Sequence, residues 1–202
     1  MRVVSGSAKG RPLKSVPGNG TRPTTDKVKE AVFSMIGPYF EGGAALDLFA
    51  GTGGLGIEAL SRGMERAVFV DMEPKSIETI RANLKATGFE SRAEVYRNDA
   101  GRALSALEKR GRAFELVFLD PPYRLKSGDE LMSSMAAKGL LEEAAVIVLE
   151  HESAYVYPED IPGFRRLRQA VYGETTISIY KYEATDGQGP EVGEEAQDES
   201  AE

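Results

Sequence analysis

Apolar and polar residues follow one another along the chain in blocks that predict helices and strands in turn. Between residues 25 and 38 the apolar positions recur at helical spacing, with Thr24 or Thr25 as a candidate N-cap. Further on, short apolar runs predict strands, and the amphipathic stretches between them predict helices. The predicted strands span residues 44–49, 67–70, 94–97, 116–119 and 144–149, and the predicted helices span residues 54–61, 74–87, 100–110 and 129–138.

The predicted strands are apolar throughout rather than alternating, which is typical of strands covered on both faces in a parallel sheet. Right-handed crossovers through the helices then give a doubly wound arrangement. Residues 166–172 and 175–182 are β-type runs separated by Gly173 and Glu174, which predicts an antiparallel hairpin at the sheet edge. The predicted fold class is therefore α/β: a doubly wound, mostly parallel, seven-stranded sheet with an antiparallel C-terminal hairpin.

The two ends of the chain differ from this central region in charge. Residues 2–4 and 12–16 are short β-like segments joined by a glycine-containing stretch, and the first 30 residues hold seven bases against two acids. The last 20 residues hold eight acids, no base and almost no large apolar residue. The sequence thus predicts a small, basic N-terminal β-hairpin arm (1–20), a central domain (21–182) and a disordered acidic tail (183–202).

The composition excludes several kinds of chemistry. The 202 residues include no Cys, which removes disulfides, Cys-ligated zinc and a thiol nucleophile, and only one His, which removes a His-rich metal site. No apolar run reaches the roughly 20 residues of a membrane helix, and the first 12 residues lack the apolar core of a signal peptide. We therefore expect a cytoplasmic protein with no metal and no membrane contact. His151, between two glutamates, is expected to be a surface or locally paired group.

A glycine-rich motif lies where the first strand of the sheet turns into a helix. The residues from Asp47 to Gly56 contain the pattern G-x-G-x-x-G, formed by Gly51, Gly53 and Gly56, and such glycines let a ligand approach backbone N–H groups. Asp71 ends the second strand 20 positions after Gly51, as expected for a carboxylate that binds a ribose. The motif predicts a nucleoside-containing cofactor, but it does not distinguish NAD from S-adenosylmethionine.

Two further motifs follow the third and fourth strands. Asp99 is placed to accept a hydrogen bond from an adenine amino group, to cap the next helix, or both. Asp120, Pro121, Pro122 and Tyr123 follow the fourth strand. The exocyclic amine of a nucleobase is a poor nucleophile until acceptors hold its hydrogens, and Asp120 with the Pro121 carbonyl supplies two acceptors on a stiff segment. Since Tyr123 offers a ring on which a base can stack, the motif predicts methyl transfer to an amine rather than a simple turn.

Basic residues are spaced along the predicted flexible hairpin at Lys9, Arg11 and Lys14. This spacing fits an arm that contacts RNA phosphates, and it also fits a solvated edge strand that is protected from aggregation. Because a base-modifying motif occurs in the same chain, we expect RNA contact.

These motifs resemble those of the Rossmann-like methyltransferases that use S-adenosyl-L-methionine and, more narrowly, the RsmD family of bacterial 16S rRNA guanine-N2 methyltransferases. The D-P-P-Y motif alone is shared with adenine-N6 methyltransferases, whereas its combination with T-R-P-T is more specific. Asp71 stands where the family is expected to have Glu, and the acidic tail is foreign to the family pattern. The matching stretches, within a resemblance that covers residues 1–182, are Thr21–Asp26, Asp47–Gly53, Leu55–Gly63 and Asp120–Tyr123.

The resemblance implies a reaction: transfer of a methyl group to the exocyclic N2 of a guanine in 16S rRNA, within an assembling small ribosomal subunit, by a monomer. It places Asp47, Gly51 and Gly53 around the methionine part of the cofactor, and Asp71 with Met72 at the ribose and adenine. The implied catalytic residues are Asp120, Pro121, Pro122 and Tyr123. The implied cofactor-binding residues are Arg22, Pro23, Thr24, Asp47, Gly51, Gly53, Asp71, Met72 and Asp99.

Three other functions fit parts of the sequence. An adenine-N6 methyltransferase acting on RNA or DNA would share the D-P-P-Y motif, although the chain has little room for a separate DNA target-recognition domain. An NAD-dependent oxidoreductase would share the glycine turn. A non-catalytic RNA-binding or assembly protein would need only the basic segment. The nucleoside that is modified and the cofactor that is bound distinguish these functions.

Overall fold

The computed structural model describes residues 1–18, 25–122 and 125–184, and these form one sheet with helices on both faces. The helices and strands predicted between residues 25 and 182 are present with ends shifted by a few residues. In chain order the elements are α1 (Asp26–Ile36), β1 (Ala44–Leu48), α2 (Gly54–Ser61), β2 (Arg66–Asp71), α3 (Pro74–Thr87), a 3-10 turn (Glu90–Arg92), β3 (Ala93–Arg97), α4 (Ala100–Lys109), β4 (Phe114–Leu119), α5 (Gly128–Ala137), β5 (Leu141–Glu152), β6 (Asp160–Ile161), β7 (Phe164–Tyr172) and β8 (Thr175–Tyr182).

The strands are arranged in the order β3-β2-β1-β4-β5-β8-β7-β6. Strands β1 to β5 pair in parallel, and β8, β7 and β6 extend the sheet in antiparallel fashion. This arrangement confirms the doubly wound, mostly parallel sheet and its C-terminal hairpin. The short strand β6 makes eight strands instead of the seven predicted, because two residues are too few to form a recognisable pattern.

Two apolar clusters, one on each face of the sheet, explain the unbroken apolar strands. Side chains of α1, α2 and α3 pack in one cluster, and side chains of α4 and α5 pack in the other. Successive residues of β1 alternate between them, with Ala45 in the first and Leu46 in the second. Among the described helices, none has the length and apolar character needed to span a membrane.

The N-terminal segment, residues 1–18, forms a looser hairpin than the sequence predicts. It turns back on itself, but its arms share one isolated antiparallel bridge, between Arg2 and Pro12, instead of forming two strands. Several of its N–H groups bond to α2 instead, through the side chains of Glu58 and Ser61. The segment is therefore docked on the helical layer and is not a free arm.

The strand order reverses between β1 and β4. From β1 the chain runs outward to β2 and β3, and then it crosses to β4 on the other side of β1 and continues to β5. Leu48 of β1 pairs with Leu119 of β4, so the carboxyl ends of these two strands are neighbours. Ligands of open α/β sheets bind at such a reversal point, and both predicted motifs follow these strand ends.

Candidate active site

The glycine turn between β1 and α2 presents its backbone at the carboxyl edge of the sheet. Gly51 and Gly53 both adopt left-handed conformations, with φ of 55° and 77°. A Cβ on Gly51 would meet no atom within 4 Å, whereas a Cβ on Gly53 would lie 3.3 Å from Ile80. Gly51 thus faces open space, and the turn leaves a backbone surface that a ligand can approach at the start of α2.

Asp71 joins the ends of β1 and β2. Its Oδ2 accepts a hydrogen bond from the Gly51 N–H at 2.8 Å, and its Oδ1 accepts one from the Glu73 N–H at 2.9 Å. A carboxylate has about four acceptor positions, so Asp71 keeps capacity for a ligand hydroxyl. The next residue, Met72, is 60% exposed and offers an apolar surface at the same edge.

Asp99 lies at the end of β3, where its side chain caps α4. Oδ1 accepts a hydrogen bond from the Arg102 N–H at 2.9 Å, and Oδ2 lies 3.3 Å from the Arg102 Nε. The capping role that the sequence offered for Asp99 is therefore confirmed. Contact with an adenine amino group stays a prediction.

Asp47 is a buried carboxyl near the end of β1, with 4% of its surface exposed. Burial raises the pKa of Asp47 to about 7, and the nearby Asp71 charge also raises it, while a hydrogen bond from the Gly56 N–H to Oδ2 at 3.0 Å opposes the shift. A side chain on Gly56 is excluded, because its Cβ would lie 2.4 Å from Phe69. The third glycine of the motif thus brings the start of α2 against the Asp47 carboxyl.

Asp120 follows β4 directly and is half-buried, with the buried Pro121 behind it. Burial raises the pKa of Asp120 well above its usual range, and the charges of Glu150 and Asp47 raise it further. Leu119, which precedes Asp120, pairs with Leu48 of β1 and Leu149 of β5, so Asp120 follows a strand that lies between β1 and β5. Three carboxyls from three adjacent strands, called the site carboxyls below, therefore gather at the reversal point: Asp47, Asp120 and Glu150.

The chemistry of these groups indicates which ligand they fit. Carboxyls of like charge in a desolvated site resist ionisation, and a cation brought beside them lowers their pKa. Over residues 1–18, 25–122 and 125–184, no group of three or more His, Asp or Glu side chains is placed to hold a metal ion. Asp47 and Asp120 therefore complement a positively charged group of a ligand beside the open glycine turn.

A second cluster of buried charges fastens the N-terminal segment to α2. Lys29 Nζ lies 3.3 Å from Glu58 Oε2, and Arg62 Nε lies 2.8 Å from Glu58 Oε1. Glu58 also accepts hydrogen bonds from the N–H groups of Val4 and Ser5, each at 2.9 Å. Burial lowers the pKa of Lys29, although the Glu58 charge opposes this shift. In this Lys29–Glu58–Arg62 cluster, a buried carboxylate is paired with two cations and also accepts hydrogen bonds from the backbone of the N-terminal segment.

Asn83 of α3 joins the N-terminal segment to the glycine turn. Its Nδ2 donates to the carbonyls of Lys14 at 3.0 Å and Thr52 at 2.9 Å, and its Oδ1 accepts from the Lys14 N–H at 2.7 Å. The side chains of Lys9, Arg11 and Lys14 are exposed on this segment. The three basic residues therefore have a defined position relative to the glycine turn.

Four of the predicted site residues, Arg22, Pro23, Thr24 and Tyr123, lie outside the described residues. Pro122 is described and is exposed at the same edge as Asp120.

His151 is buried, which corrects the expectation of a surface group. Its Nε2 lies 2.9 Å from the Ser178 Oγ, and its Nδ1 lies 3.0 Å from the Glu152 carbonyl oxygen, so the alternative of local pairing is confirmed. It is covered because β8 pairs with the end of β5, with His151 opposite Thr176. Burial lowers the pKa of His151.

The sequence-based prediction missed Glu150, Glu58 and Asn83. Glu150 follows an apolar strand at the edge that carries Asp120, so its position in the sequence was an available signal. Glu58 and Asn83 are polar residues within helices, and only their tertiary contacts distinguish them from solvent-facing positions.

Comparison with known proteins identifies relatives along most of the chain. The family model described as "Conserved hypothetical protein 95" matches residues 1–181. The "Putative rRNA methyltransferase YlbH" of Bacillus subtilis (strain 168) is 53% identical over 181 residues, which cover 90% of this chain and 98% of that protein. The "Ribosomal RNA small subunit methyltransferase D" of Escherichia coli (strain K12) is 33% identical over 184 residues, which cover 91% of each.

Solved structures agree with the observed fold. The structure called "Putative methyltransferase yhhF from Escherichia coli" has a TM-score of 0.79 and 32% identity, and the match covers 92% of this chain and 99% of that one. A conserved hypothetical protein from Streptococcus pyogenes has a TM-score of 0.74 and 40% identity, with 77% of this chain and 96% of that one covered. The chain therefore belongs to the conserved hypothetical protein 95 family, and its resemblance to the RsmD family of rRNA methyltransferases is confirmed.

Proposed function

We propose that the protein transfers a methyl group from S-adenosyl-L-methionine to the exocyclic N2 of a guanine in 16S rRNA, in an assembling small ribosomal subunit. Family membership and the names of the relatives support the broader activity, an S-adenosylmethionine-dependent rRNA methyltransferase. The choice of guanine N2 rests on the motif resemblance. The observation that carries the proposal is that Asp120 directly follows β4, whose carboxyl end is paired with the end of β1 at the strand-order reversal, where the open glycine turn begins.

The ends of β1 and β2 would hold the cofactor. Asp47 complements the positively charged methionine part, and Gly51 and Gly53 leave room for its approach. Asp71 has acceptor capacity for the ribose hydroxyls, and Met72 offers an apolar contact to the adenine. When bound, the cofactor supplies a methyl group that is electrophilic because it is attached to a sulfonium.

Asp120 and Pro121 prepare the nucleophile. The ionised Asp120 carboxylate and the Pro121 carbonyl accept hydrogen bonds from the guanine N2 amine, which orients the nitrogen lone pair away from the ring system. As the nitrogen bonds to the methyl carbon, the carbon–sulfur bond breaks and S-adenosylhomocysteine is released. The nitrogen gains positive charge, which Asp120 would stabilise by accepting the surplus proton. Proline at two successive positions limits the freedom of this segment, so the acceptors are held in place before the base arrives.

Residues assigned by the family resemblance complete the proposed site. Tyr123 stacks on the flipped target base, because a base within a duplex cannot reach the methyl group. Arg22, Pro23 and Thr24 close over the cofactor or the incoming base. Asp99 accepts a hydrogen bond from the adenine amino group while it caps α4.

The N-terminal segment supplies contacts to the RNA backbone. Lys9, Arg11 and Lys14 are exposed, and the Lys29–Glu58–Arg62 cluster and Asn83 fix the segment that carries them. A docked basic surface binds phosphates with less loss of conformational entropy than a mobile arm would.

Nucleoside analysis tests the proposed reaction. The purified protein is incubated with methyl-labelled S-adenosylmethionine and either 16S rRNA or small subunits from cells that lack the gene, and the RNA is digested. Label in N2-methylguanosine is expected, with the more efficient substrate showing whether an assembled particle is needed. Label in N6-methyladenosine would instead identify the adenine-specific alternative.

Cofactor binding separates the remaining alternatives. S-adenosylhomocysteine is expected to raise the Tm of the protein, and NAD is not. Stabilisation by NAD alone would indicate an oxidoreductase. Stabilisation by neither ligand, together with RNA binding and no methylation, would indicate an assembly protein.

A further inference from the structure

The carboxyl edge of the sheet has two halves on either side of Asp120. One half, formed by the ends of β1, β2 and β3, contains the proposed cofactor site. The other half, formed by the end of β5 and the loops that adjoin it, contains a group of aromatic, apolar and cationic side chains without a role in the proposed function. This group, called the Tyr155 cluster below, consists of Leu125, Lys126, Tyr155, Val156 and Tyr157.

Contacts within the Tyr155 cluster connect the loop after β4 to the loop after β5. The Lys126 Nζ lies 5.0 Å from the centroid of the Tyr155 ring, and this ring meets Tyr157 edge-on at 4.7 Å. Tyr157 meets His151 at 5.0 Å, and its hydroxyl oxygen accepts a hydrogen bond from the Gly128 N–H at 3.1 Å. The buried His151 and Tyr157 thus form a fixed base that supports Tyr155 and Lys126.

The outer face of the cluster combines apolar surface with positive charge. Val156, next to Tyr155 in the chain, is 76% exposed, and Leu125, next to Lys126, is 51% exposed. Lys126 is also exposed, and no acidic side chain in the described part of the chain forms an ion pair with it. An apolar surface with an unneutralised ammonium group matches a ligand that has both a flat apolar face and a negative charge.

The position of the cluster indicates which ligand this is. Asp120 interacts with Glu150 near the end of β5, and His151, which contacts Tyr157, follows Glu150 in the chain. The Tyr155 cluster therefore adjoins the proposed catalytic carboxyl. A base that is flipped into the site leaves its neighbour in the RNA strand without a stacking partner. That neighbouring nucleotide has both an exposed base and a phosphate, and it must lie near the mouth of the site.

We propose that the Tyr155 cluster binds the nucleotide next to the target guanine in an unpaired RNA strand. Lys126, held over the Tyr155 ring, contacts the phosphate of this nucleotide, and Val156 with Leu125 contacts its base. The inference rests on the proposed function, because it takes RNA as the substrate. It adds a second RNA-binding surface, on the opposite side of Asp120 from the proposed cofactor site.

The test compares the wild-type protein with Lys126→Ala on 16S rRNA or on small subunits from cells that lack the gene, whichever the wild-type protein methylates more efficiently. The dependence of RNA affinity on salt is expected to weaken by about 0.7 in logarithmic slope, the value for one phosphate neutralised in a single strand. The KM for RNA rises severalfold, while kcat and the affinity for S-adenosylhomocysteine stay unchanged. Lys126→Arg keeps the charge and is expected to restore the slope.

Matched variants distinguish binding from folding. Val156→Ser is expected to raise the KM for RNA, whereas Leu167→Ser, at another exposed apolar position on β7, is expected to leave it unchanged. Lys109→Ala, which removes an exposed lysine of α4, controls for overall charge. Tyr155→Phe keeps the aromatic ring under Lys126 and is expected to bind RNA as the wild-type protein does.

An unchanged salt slope and KM in Lys126→Ala would overturn the inference, and so would equal effects of Lys126→Ala and Lys109→Ala. In either case the proposed function stands as long as the wild-type protein methylates guanine. Absence of methylation by the wild-type protein would instead contradict the proposed function itself.

Discussion

The molecule contains two clusters of buried ionisable groups, one with charges of opposite sign and one with carboxyls only. In the Lys29–Glu58–Arg62 cluster a carboxylate lies between two cations, and it also accepts hydrogen bonds from the backbone of the N-terminal segment. The site carboxyls have the same sign of charge, and burial raises the pKa of Asp47 and Asp120. The charges of the first cluster are paired without a ligand, whereas a cation beside Asp47 and Asp120 would favour the ionised form of these two carboxyls.

This difference separates a structural role from a binding role. Desolvating charges costs several kcal/mol for each ion, and only close partners of opposite charge offset that cost within the fold. The Lys29–Glu58–Arg62 cluster has such partners, so its charges stabilise the docking of residues 1–18. Among the described residues no cation forms an ion pair with Asp47 or Asp120, and burial raises the pKa of both carboxyls.

Replacing Glu58 is expected to have the largest effect on stability, because it removes the one carboxylate of the Lys29–Glu58–Arg62 cluster. Glu58→Gln leaves Lys29 and Arg62 buried without a negative partner, which should lower the free energy of unfolding by about 3–5 kcal/mol. Urea denaturation measures this change. Glu159→Gln is the control, because Glu159 is 82% exposed and pairs with Arg166 at the surface, where such a pair contributes about 1 kcal/mol or less. Equal losses in the two variants would contradict the structural role of the cluster.

Replacing Asp120 is expected to affect activity rather than stability. Asp120→Asn keeps the shape of the side chain but removes the charge that stabilises the developing cation and accepts its proton, so kcat should fall by about 10²–10³-fold. Because the variant also removes a carboxyl that resists ionisation, the free energy of unfolding near neutral pH should not decrease. Methyl transfer to RNA and urea denaturation are measured together, with Glu142→Gln at an exposed position of β5 as control. Full activity of Asp120→Asn would exclude the proposed catalytic role.

The sequence predicted more of the site carboxyls than of the Lys29–Glu58–Arg62 cluster. The carboxyl-edge residues Asp47, Asp71 and Asp120 each lie at the end of an apolar strand, so the parallel sheet itself brings them together. The end of a strand can be recognised from the local sequence, and a parallel sheet places such ends at one edge, where they can form a site. The same reasoning predicts the glycine turn, where Gly51 opens toward solvent and Gly56 has no room for a side chain.

The docking of the N-terminal segment had no such signal. Glu58 lies within α2, where an acidic residue is most often solvent-facing, and its partners Lys29 and Val4 are 29 and 54 positions away. These donors and the Glu58 carboxylate meet only after α1 and the N-terminal segment have packed on the same face. For the same reason the sequence predicts a hairpin with its own strands, while several N–H groups of the segment bond to α2 instead.

The raised pKa of Asp47 predicts a pH dependence of cofactor binding. A cation beside Asp47 favours the ionised carboxylate, which is depleted as the pH falls below about 7. The affinity for S-adenosylhomocysteine, which carries the methionine ammonium group, should therefore be constant above about pH 7 and decrease by at most about tenfold for each pH unit below it. Calorimetric titration at several pH values measures this dependence. The variant Asp47→Asn, which has no ionisable group at this position, should show a weaker affinity with a flatter profile.

Exposed charges, unlike either buried cluster, are expected to give the smallest effects. Lys9, Arg11 and Lys14 are exposed, and no acid among the described residues forms an ion pair with them. We expect each of them to contribute to RNA binding through a phosphate contact. Replacing all three with Ala should lower the logarithmic salt slope of RNA binding by about 0.7–0.9 for each phosphate that is no longer neutralised, and it should leave unfolding unchanged. The double replacement of Lys109 and Arg168, exposed residues of α4 and β7, controls for net charge. An unchanged slope in the triple variant would mean that the segment is docked for a structural reason alone, and the basic surface beside the Lys29–Glu58–Arg62 cluster would then have no role in RNA binding.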